Sequence, residues 1–474
     1  NINLKDIDYI AFYDKPFIKF ERLLETYLTE APKGFQSFLM SIPVWLKEKL
    51  YLKKKLSREF KELFLELNPN QAKEAKEFKK NIQSKFMFGE HHQSHAGSAF
   101  YPSPYRESAI LTIDGVGEWA TASLAYGNGN KIEFLKEINF PHSLGLLYSA
   151  FTYYTGFKVN SGEYKLMGLA PYGQPKYIKA IKDHLIFIKS DGTFKLDMSY
   201  FKFHRGLKMI SSKFIKLFGH HARDPEEEIT KFYMDVASSI QKVTENIVVK
   251  ITKNLRQKHN LDNLCLAGGV ALNCVANGKI LDESGFKNIW VQPASGDSGN
   301  ALGSALAYRY IVKKSSRKIN QNDSMKSAYL GPSFTDKQIK NYLDELTIKY
   351  TEYSNEQLCI ETAKKLNQGN VIGWFQGRME YGPRALGHRS IIGDPRDRNM
   401  QKLMNLKIKN RESFRPFAPA ILDGFQEEYF NIKVESPYML LTRQLQNKFL
   451  KKANSSDSNL SGLDKLKQLR SEMP

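Results

Sequence analysis

Two histidines and two aspartates in this sequence are suited to hold a metal ion. His91 and His95 are four residues apart, a spacing that places two imidazoles on one face of a helix with Cβ atoms about 5–6 Å apart. Asp114 and Asp297 each adjoin a glycine after a predicted strand, where α/β folds commonly bind ligands, although aspartate there also caps turns and helices. Because imidazoles and carboxylates together suit first-row divalent metals, we predict a metal site formed by these four residues.

Glycine-containing loops between predicted strands and helices indicate a nucleotide site. Gly268 and Gly269 follow one predicted strand, with Asn273 shortly after them, and Gly296 follows the next strand. Glycine allows a ligand to approach the backbone closely, and the N-terminus of the following helix favours phosphate. We therefore predict that both loops contact a nucleotide.

A further candidate contact for the nucleotide lies in residues 161–165. Glu163 could accept hydrogen bonds from ribose hydroxyls, and Lys165 could meet a phosphate. The alternative is an exposed pair of charges, which contributes little to stability or binding.

The stretch 377–417 is the most specific feature. It contains ten Lys or Arg and four Asp or Glu, interleaved with glycine and proline. Guanidinium groups bind phosphate in a bidentate manner, and a rigid backbone fixes their direction. A nucleic-acid surface would more often interleave lysine with aromatic residues, so this pattern favours a pocket for a small phosphorylated substrate.

Charge and cysteine content limit the remaining function classes. The net charge is +20, which attracts polyanions such as nucleic acid, acidic lipid or phosphorylated substrates, although an A/T-rich genome that favours lysine would give the same total. Three scattered cysteines form no CxxC motif, which argues against a zinc ribbon and favours a reducing, cytoplasmic location. No apolar run is long enough to cross a bilayer.

The elements that must position these residues alternate between strands and helices, which predicts an α/β fold. Helices are expected within 18–85, over 229–251, from near Ala271, from Asn300, and over 338–346 and 358–368. Strands are expected at 7–13, 109–113, 120–126, 131–138, 264–267, 289–293 and 371–375. The polar segment 313–326 is the best candidate for a linker between domains.

Together these motifs are similar to those of the O-carbamoyltransferases, a family that includes enzymes modifying nodulation factors, cephamycins and aminoglycosides. The resemblance covers roughly residues 85–440. It rests on the following segments: HHQSHAGSAF, TIDGVGEWATAS, NSGEYKLMGLAPYG, LAGGVALNCVANG, PASGDSGNALGSA, GRMEYGPRALGHRSI and FRPFAP.

The resemblance implies two domains. Residues 1–325 would form an actin-like ATPase-type domain, similar to the tRNA threonylcarbamoyl transferase. Residues 326–474 would form a smaller α/β domain, similar to the synthase of threonylcarbamoyl-adenylate. ATP and carbamoyl phosphate would give carbamoyl-adenylate and pyrophosphate in the smaller domain, and a hydroxyl of a sugar or small-molecule acceptor would then take the carbamoyl group in the larger one.

The resemblance also implies roles for individual residues. The predicted metal ligands match a site that usually holds iron. Glu163, Lys165 and the loop residues Gly268, Gly269 and Asn273 lie in segments that surround the nucleotide. Three residues match the basic groups that handle carbamoyl phosphate: Arg384, Lys409 and Arg415. Because the family normally carries an additional N-terminal hairpin and a final basic segment, we expect this sequence to be a fragment that lacks both.

Three other functions agree less well with the sequence. A tRNA-modifying transferase would use the positive charge, but the Arg-rich stretch suits a small ligand. Hydrogenase maturation proteins use related domains but carry zinc-binding cysteine motifs, and a non-enzymatic actin-like scaffold would not need the metal ligands. We therefore expect a small-molecule or sugar acceptor and no nucleic-acid or membrane partner. The sequence is compatible with a homo-oligomer.

Overall fold

The computed structural model describes residues 3–397, 399–450, 460 and 462–467. A five-stranded sheet with strand order β5-β4-β3-β8-β9 forms the centre of the molecule, and three two-stranded sheets accompany it, so the fold is mixed α/β. The strands are β1 (Ile10–Phe12), β2 (Phe86–Phe88), β3 (Glu107–Ile113), β4 (Ala120–Asn128), β5 (Lys131–Asn139), β6 (Ile186–Ile188), β7 (Phe194–Leu196), β8 (Asn263–Ala267), β9 (Asn288–Val291), β10 (Ile372–Phe375) and β11 (Arg389–Ile392).

Helices form much of the remaining described chain. The helices are α1 (Pro16–Glu30), α2 (Phe35–Val44), α3 (Leu52–Leu67), α4 (Ala72–Ser84), α5 (His91–Phe100), α6 (Leu144–Tyr154), α7 (Glu163–Leu169), α8 (Ile178–Ala180), α9 (Ser212–Phe218), α10 (Lys231–His259), α11 (Cys274–Glu283), α12 (Asp297–Ala307), α13 (Asp336–Glu345), α14 (Asn355–Asn367), α15 (Met400–Leu403) and α16 (Gln426–Tyr429). Within the described residues, no helix is both long and apolar enough to cross a membrane.

The central sheet changes direction at β3. This strand is antiparallel to β4 but parallel to β8, with Thr112 opposite Ala267. All but the first residue of β3 are buried, as expected for a strand covered on both faces. The consecutive strands predicted at 109–113, 120–126 and 131–138 are confirmed as β3, β4 and β5, and they form an antiparallel meander. The ends of β3 and β8 therefore lie side by side, and the polar residues after them meet at one edge of the sheet.

Two predicted helix starts differ from the structure. The chain makes a short 3-10 turn at Gly269–Leu272, and α11 begins only at Cys274, because the side chain of Asn273 accepts a hydrogen bond from the backbone N–H of Ala276 and caps the helix. Helix α12 begins earlier than predicted, with Asp297 as its first residue instead of Asn300. Asp297 is thus fixed by a helix and not by a loop.

Helices α5 and α12 cross at glycines. A Cβ atom added to Gly97 would lie 2.9 Å from the carbonyl oxygen of Gly303, and one added to Gly303 would lie 1.9 Å from that of Ser94. Neither distance leaves room for a side chain. The two helix backbones are therefore in direct contact, and their N-terminal residues lie close together.

The region after residue 325 packs partly into the core of the first region. Ala328, Phe414, Tyr438 and Leu440 are buried in the same apolar cluster as the central sheet. The predicted linker is anchored too, since the Arg317 guanidinium donates to backbone carbonyls that include those of Phe100 and Ser103. By contrast, α13 and α14 contain no buried residue. The domain division at 325/326 stays a prediction.

Phe414 gives a direct test of this shared packing. It is 2% exposed and contacts the rings of Phe157 and Tyr172, so Phe414→Ala should lower the free energy of unfolding by about 3–5 kcal/mol. The control is Phe425→Ala in the same region, where the side chain is exposed and we expect a change below about 0.5 kcal/mol. Denaturant unfolding measures both. If Phe414→Ala lowered the free energy of unfolding as little as Phe425→Ala does, residue 414 would not be part of the core.

Candidate functional site

Four side chains meet where β3, α5 and α12 come together. His91 and His95 lie one turn apart at the start of α5, Asp114 directly follows β3, and Asp297 begins α12. One donor atom from each of these residues lies within 4.8 Å of every other. The two histidines are fully buried, whereas the Asp297 side chain is 59% exposed. The predicted ligand set is therefore assembled in space, with its open side at Asp297.

The distances between the donor atoms suit a metal ion. The Nε2 atoms of His91 and His95 are 3.1 Å apart, and an Asp114 oxygen lies 2.9 Å and 3.4 Å from them. Asp297 Oδ1 lies 3.6 Å and 3.8 Å from the same nitrogens. Donors at about 2.0–2.2 Å from one metal ion are separated from each other by roughly 3–4 Å. The donor set thus fits a divalent cation at its centre.

The charges at this site also favour a cation. Burial acts to raise the pKa of Asp114, but hydrogen bonds from His91 and His95 outweigh it and hold that pKa well below its usual range. Burial and the negative charge of Asp114 raise the pKa of Asp297. Two carboxylates in one partly buried site repel each other, and a bound divalent cation would relieve this repulsion.

Neighbouring groups hold the ligands in place. Asp14 lies 2.8 Å from Nδ1 of His91, so Nε2 of that ring is directed at the site. The backbone N–H of Gly269 donates to the second oxygen of Asp114 at 3.0 Å. Such partners set the orientation of metal ligands and tune their affinity. The amide nitrogen of Asn300 lies 3.2 Å from Nε2 of His95, the nitrogen directed at the site, so Asn300 borders the donor set and does not orient the ring.

Glu118 fixes the N-terminus of α5. Its carboxylate accepts hydrogen bonds from the backbone N–H groups of His91, at 3.0 Å, and Lys15, at 2.9 Å. It thus satisfies a helix N-terminal donor and ties the segment that carries Asp14 to the helix that carries the histidines. Burial acts to lower the pKa of His91, but hydrogen bonds to Asp114 and Asp14 outweigh it and raise that pKa to about 9, so a metal at Nε2 would displace a proton.

The sequence prediction did not identify Asp14, Glu118 or Asn300. Asn300 could have been found, because it lies three residues after Asp297 and thus on the same side of a helix. Asp14 reaches the site only because β1 pairs in parallel with β2, immediately before α5. No local pattern around residue 14 signals that pairing.

Glu163 and Lys165 form specific contacts at the start of α7. Glu163 accepts hydrogen bonds from the Ser149 hydroxyl at 2.7 Å and from the Asn160 backbone at 3.1 Å. The Lys165 ammonium lies 2.6 Å from a carboxylate oxygen of Glu412 in the Arg-rich stretch. The structure thus places the predicted nucleotide segment against the predicted phosphate-binding stretch.

The loop residues predicted to contact the nucleotide also have roles in the fold itself. Gly268 has a φ of +90°, and a Cβ atom there would lie 2.2 Å from the carbonyl oxygen of Ile113. Glycine is therefore required at 268 by the end of β3, without reference to a ligand. Asn273 caps α11 and exchanges hydrogen bonds with Gln241, and Gly296 is the residue before α12.

The basic residues approach these same segments. A guanidinium nitrogen of Arg384 donates to the carbonyl oxygen of Leu272 at 3.1 Å, at the end of the 3-10 turn that begins at Gly269. Arg415 lies 3.9 Å from Glu412. Burial, then the positive charges of Arg411 and Arg415, lower the pKa of Lys409. Arg384 thus meets the loop before α11, Arg415 lies beside Glu412, which contacts α7 through Lys165, and Lys409 lies near Arg411 and Arg415. We call Arg384, Lys409 and Arg415 the basic face.

A cavity of about 950 Å³ adjoins this basic face. Its lining includes Lys165, Glu412, Phe157 and Tyr153, with apolar and charged groups side by side. A volume of this size is typical of small-molecule sites.

Fold and site together define a mixed α/β protein with a candidate metal centre next to a basic face. Two family models match the chain: "Carbamoyltransferase N-terminus" at residues 1–306 and "Carbamoyltransferase C-terminus" at residues 363–458. The chain therefore belongs to the carbamoyltransferase family and is an enzyme of that class. This confirms the resemblance found in its sequence.

Individual relatives agree with this assignment. The chain is 52% identical to the uncharacterized protein sll1178 of Synechocystis over all of its own length and 75% of that protein. It is 34% identical to the nodulation protein NolNO of Sinorhizobium fredii over 92% of this chain, and it spans 59% of that relative. Among solved structures, HypF of T. kodakarensis is 14% identical over 52% of this chain and 39% of its own, with a TM-score of 0.27, which is too low to support a conclusion about the fold.

Removal of both histidines should abolish metal binding. We expect the protein to bind one equivalent of a divalent metal, and the double variant His91→Ala, His95→Ala to lose it, because two of four donors are gone. The exposed pair His220 and His221 provides the matched control variant. Elemental analysis measures the metal, with circular dichroism to verify folding. One equivalent of metal in the folded double variant would place the site elsewhere.

Asp14 should contribute to metal affinity without contacting the metal. Asp14→Asn removes the carboxylate that orients His91, so metal affinity should fall about 10- to 100-fold. Competition with a chromophoric chelator measures the affinity. Asp14 is also paired with Lys19 at 2.6 Å, so Asp191→Asn serves as the control, because Asp191 is paired with Lys136 at the same distance but outside the site. Unchanged affinity in Asp14→Asn would show that the 2.8 Å contact has no such role.

Proposed function

We propose that this protein is an ATP-dependent O-carbamoyltransferase. Carbamoyl phosphate, ATP and water would give carbamoyl-adenylate, pyrophosphate and phosphate, and the carbamoyl group would then pass to a hydroxyl of a sugar or small-molecule acceptor. We further propose that residues 1–325 form an actin-like domain and residues 326–474 an adenylate-forming domain. The main support is one loop that joins the candidate metal centre to the basic face.

That loop is the 3-10 turn Gly269–Leu272. At one end, the Gly269 N–H holds Asp114; at the other, the Leu272 carbonyl accepts a hydrogen bond from Arg384. A 3-10 turn rises about 2 Å per residue, so its ends are roughly 6–8 Å apart. One phosphorylated ligand could therefore contact both the metal centre and Arg384.

The metal, bound by His91, His95, Asp114 and Asp297, would act as a Lewis acid that polarises a carbonyl or phosphoryl oxygen. The protein's own groups do the positioning. Asp14 and the Gly269 N–H fix their ligands, His91 and Asp114, before substrate arrives. Because the exposed ligand is Asp297, substrate would approach from that side.

The basic face would supply charge stabilisation. Arg384, Lys409 and Arg415 would neutralise the phosphate groups of carbamoyl phosphate and ATP, and preorganised cations of this kind stabilise phosphoryl transfer. Lys165 is paired with Glu412, so a phosphate would compete with that carboxylate for the ammonium group. Glu163 can still accept hydrogen bonds from ribose, because a carboxylate offers about four lone-pair sites.

The acceptor would be a small polar molecule. The cavity beside Lys165 and Glu412 has room for a sugar. Its aromatic rings would pack on the apolar faces of the sugar, and its charged groups would bind the sugar hydroxyls. In the final step the acceptor hydroxyl would attack the carbamoyl carbon of the adenylate, and AMP would leave. Polyanionic tRNA is the other candidate acceptor, and the net charge of +20 is the observation that favours it.

Two variants should separate the two half-reactions. Arg384→Ala should stop pyrophosphate release from ATP and carbamoyl phosphate, because it removes a phosphate-binding cation. Asp297→Ala should retain part of the pyrophosphate release but form no carbamoylated product. Arg396→Ala is the control, since Arg396 is exposed and paired with Asp394. Equal loss of both activities in Arg384→Ala and Asp297→Ala would contradict the assignment of separate steps.

Salt dependence distinguishes the acceptors. Binding of tRNA driven by charge alone should weaken steeply as salt rises to physiological concentration. We therefore expect no sub-micromolar tRNA affinity at that salt concentration, as measured by filter binding. Tight binding that persists would favour tRNA as the acceptor over a sugar.

A further inference from the structure

Helix α2 exposes its largest apolar side chains to water. Phe35 is 63%, Leu39 55% and Met40 61% exposed, and Val44 and Leu46 continue the same surface. The first four of these recur at helical spacing, and α2 contains no buried residue. We call these five residues the α2 surface.

The polarity of α2 is inverted relative to a helix that packs on a core. Its serines face inward, where Ser37 and Ser41 hydrogen-bond the Tyr27 hydroxyl of α1 at 2.7 Å and 3.3 Å. Phe38 also packs on Tyr27, with ring centroids 5.4 Å apart. A surface helix normally places polar residues outward. An outward apolar stripe of this kind marks an interaction site.

Positive charge follows this surface along the chain. Residues 33–58 contain seven Lys or Arg and one Glu. Lys47, Lys49, Lys53 and Lys54 are all exposed, directly after α2. The one acidic residue, Glu48, is 3.7 Å from Lys55. Apolar side chains beside a lysine cluster are the composition of helices that lie in a lipid interface.

We propose that the α2 surface binds the surface of an anionic lipid bilayer. Phe35, Leu39 and Met40 would enter the boundary between headgroups and acyl chains, and the lysines after α2 would contact acidic headgroups. With ten residues, α2 is too short to cross a bilayer, so it would lie in the plane of the interface. This departs from the sequence-based expectation that no membrane is involved, and it is independent of the proposed acceptor.

Charge complementarity favours lipid over a second copy of this chain. A symmetric dimer through the α2 surface would bring two clusters of like charge together, which is unfavourable. An acidic bilayer instead attracts these lysines. Self-association is therefore an outcome that would count against the proposal.

Vesicle flotation tests the proposal directly. The complete protein is mixed with vesicles of phosphatidylcholine alone, or of phosphatidylcholine with about one third phosphatidylglycerol, and the bound fraction is measured. We expect binding to the anionic vesicles and little to the neutral ones. The variant Phe35→Ser, Leu39→Ser, Met40→Ser should reduce the bound fraction about tenfold or more.

Matched variants separate the apolar and charged contributions. Ile339→Ser, Tyr342→Ser, Leu346→Ser removes three exposed apolar residues of the α13 region and should bind as the unchanged protein does. Replacing Lys47, Lys49, Lys53 and Lys54 by Gln should abolish binding at moderate salt. Replacing the exposed Lys182, Lys189, Lys253 and Lys258 lowers the net charge equally and should leave most binding intact.

Three results would overturn the proposal. The first is failure of the unchanged protein to bind anionic vesicles. The second is undiminished binding by the α2 triple variant, which would leave charge alone as the cause. The third is a lipid-free dimer, detected by analytical ultracentrifugation, that the α2 triple variant dissociates; the α2 surface would then be covered by a second copy. Since every substituted α2 side chain faces outward, the variants should unfold at the temperature of the unchanged protein.

Discussion

The direct contact between the backbones of α5 and α12 is the constraint on which the site depends. Gly97 and Gly303 leave no space for a side chain between the two helices. The histidines lie at the start of α5 and Asp297 at the start of α12, so this crossing sets the distance between them. A β-carbon at residue 303 would overlap the backbone of Ser94, and relief of that overlap would separate donors that now lie 3.6–3.8 Å apart.

The parallel pairing of β3 with β8 supplies the other half of the arrangement. It places Asp114 beside the loop that begins at Gly268, and the loop in turn holds Asp114 through the Gly269 N–H. The same loop ends at the carbonyl that accepts from Arg384. Residues from both matched parts of the carbamoyltransferase family thus contact one short turn, so a shift in the turn would affect the metal ligands and the basic face together.

The clustering of His91, His95, Asp114 and Asp297 was predictable because two local rules sufficed. An i, i+4 histidine pair shares a helix face in any surroundings, and aspartates that follow adjacent strands meet at one sheet edge.

The features that the sequence did not predict depend on long-range packing. Asp14 and Glu118 reach the site through the pairing of β1 with β2 and through a cap on α5, and neither leaves a local pattern. The starts of α11 and α12 were misplaced because a cap at Asn273 and a helical Asp297 were not foreseen. Gly268 was assigned to ligand approach, whereas the backbone of Ile113 already requires glycine there. The roles of the nucleotide-binding and basic residues remain predictions.

The spacing of the candidate ligands along the chain bears on when a metal would bind during folding. His91, His95 and Asp114 lie within 24 consecutive residues, whereas Asp297 lies 183 positions beyond Asp114. Closing a loop of that length costs conformational entropy before any contact compensates for it. The fourth ligand would therefore join the other three only once β3 and the start of α12 have come together. A metal that binds the folded chain and not the unfolded one would stabilise the fold by mass action.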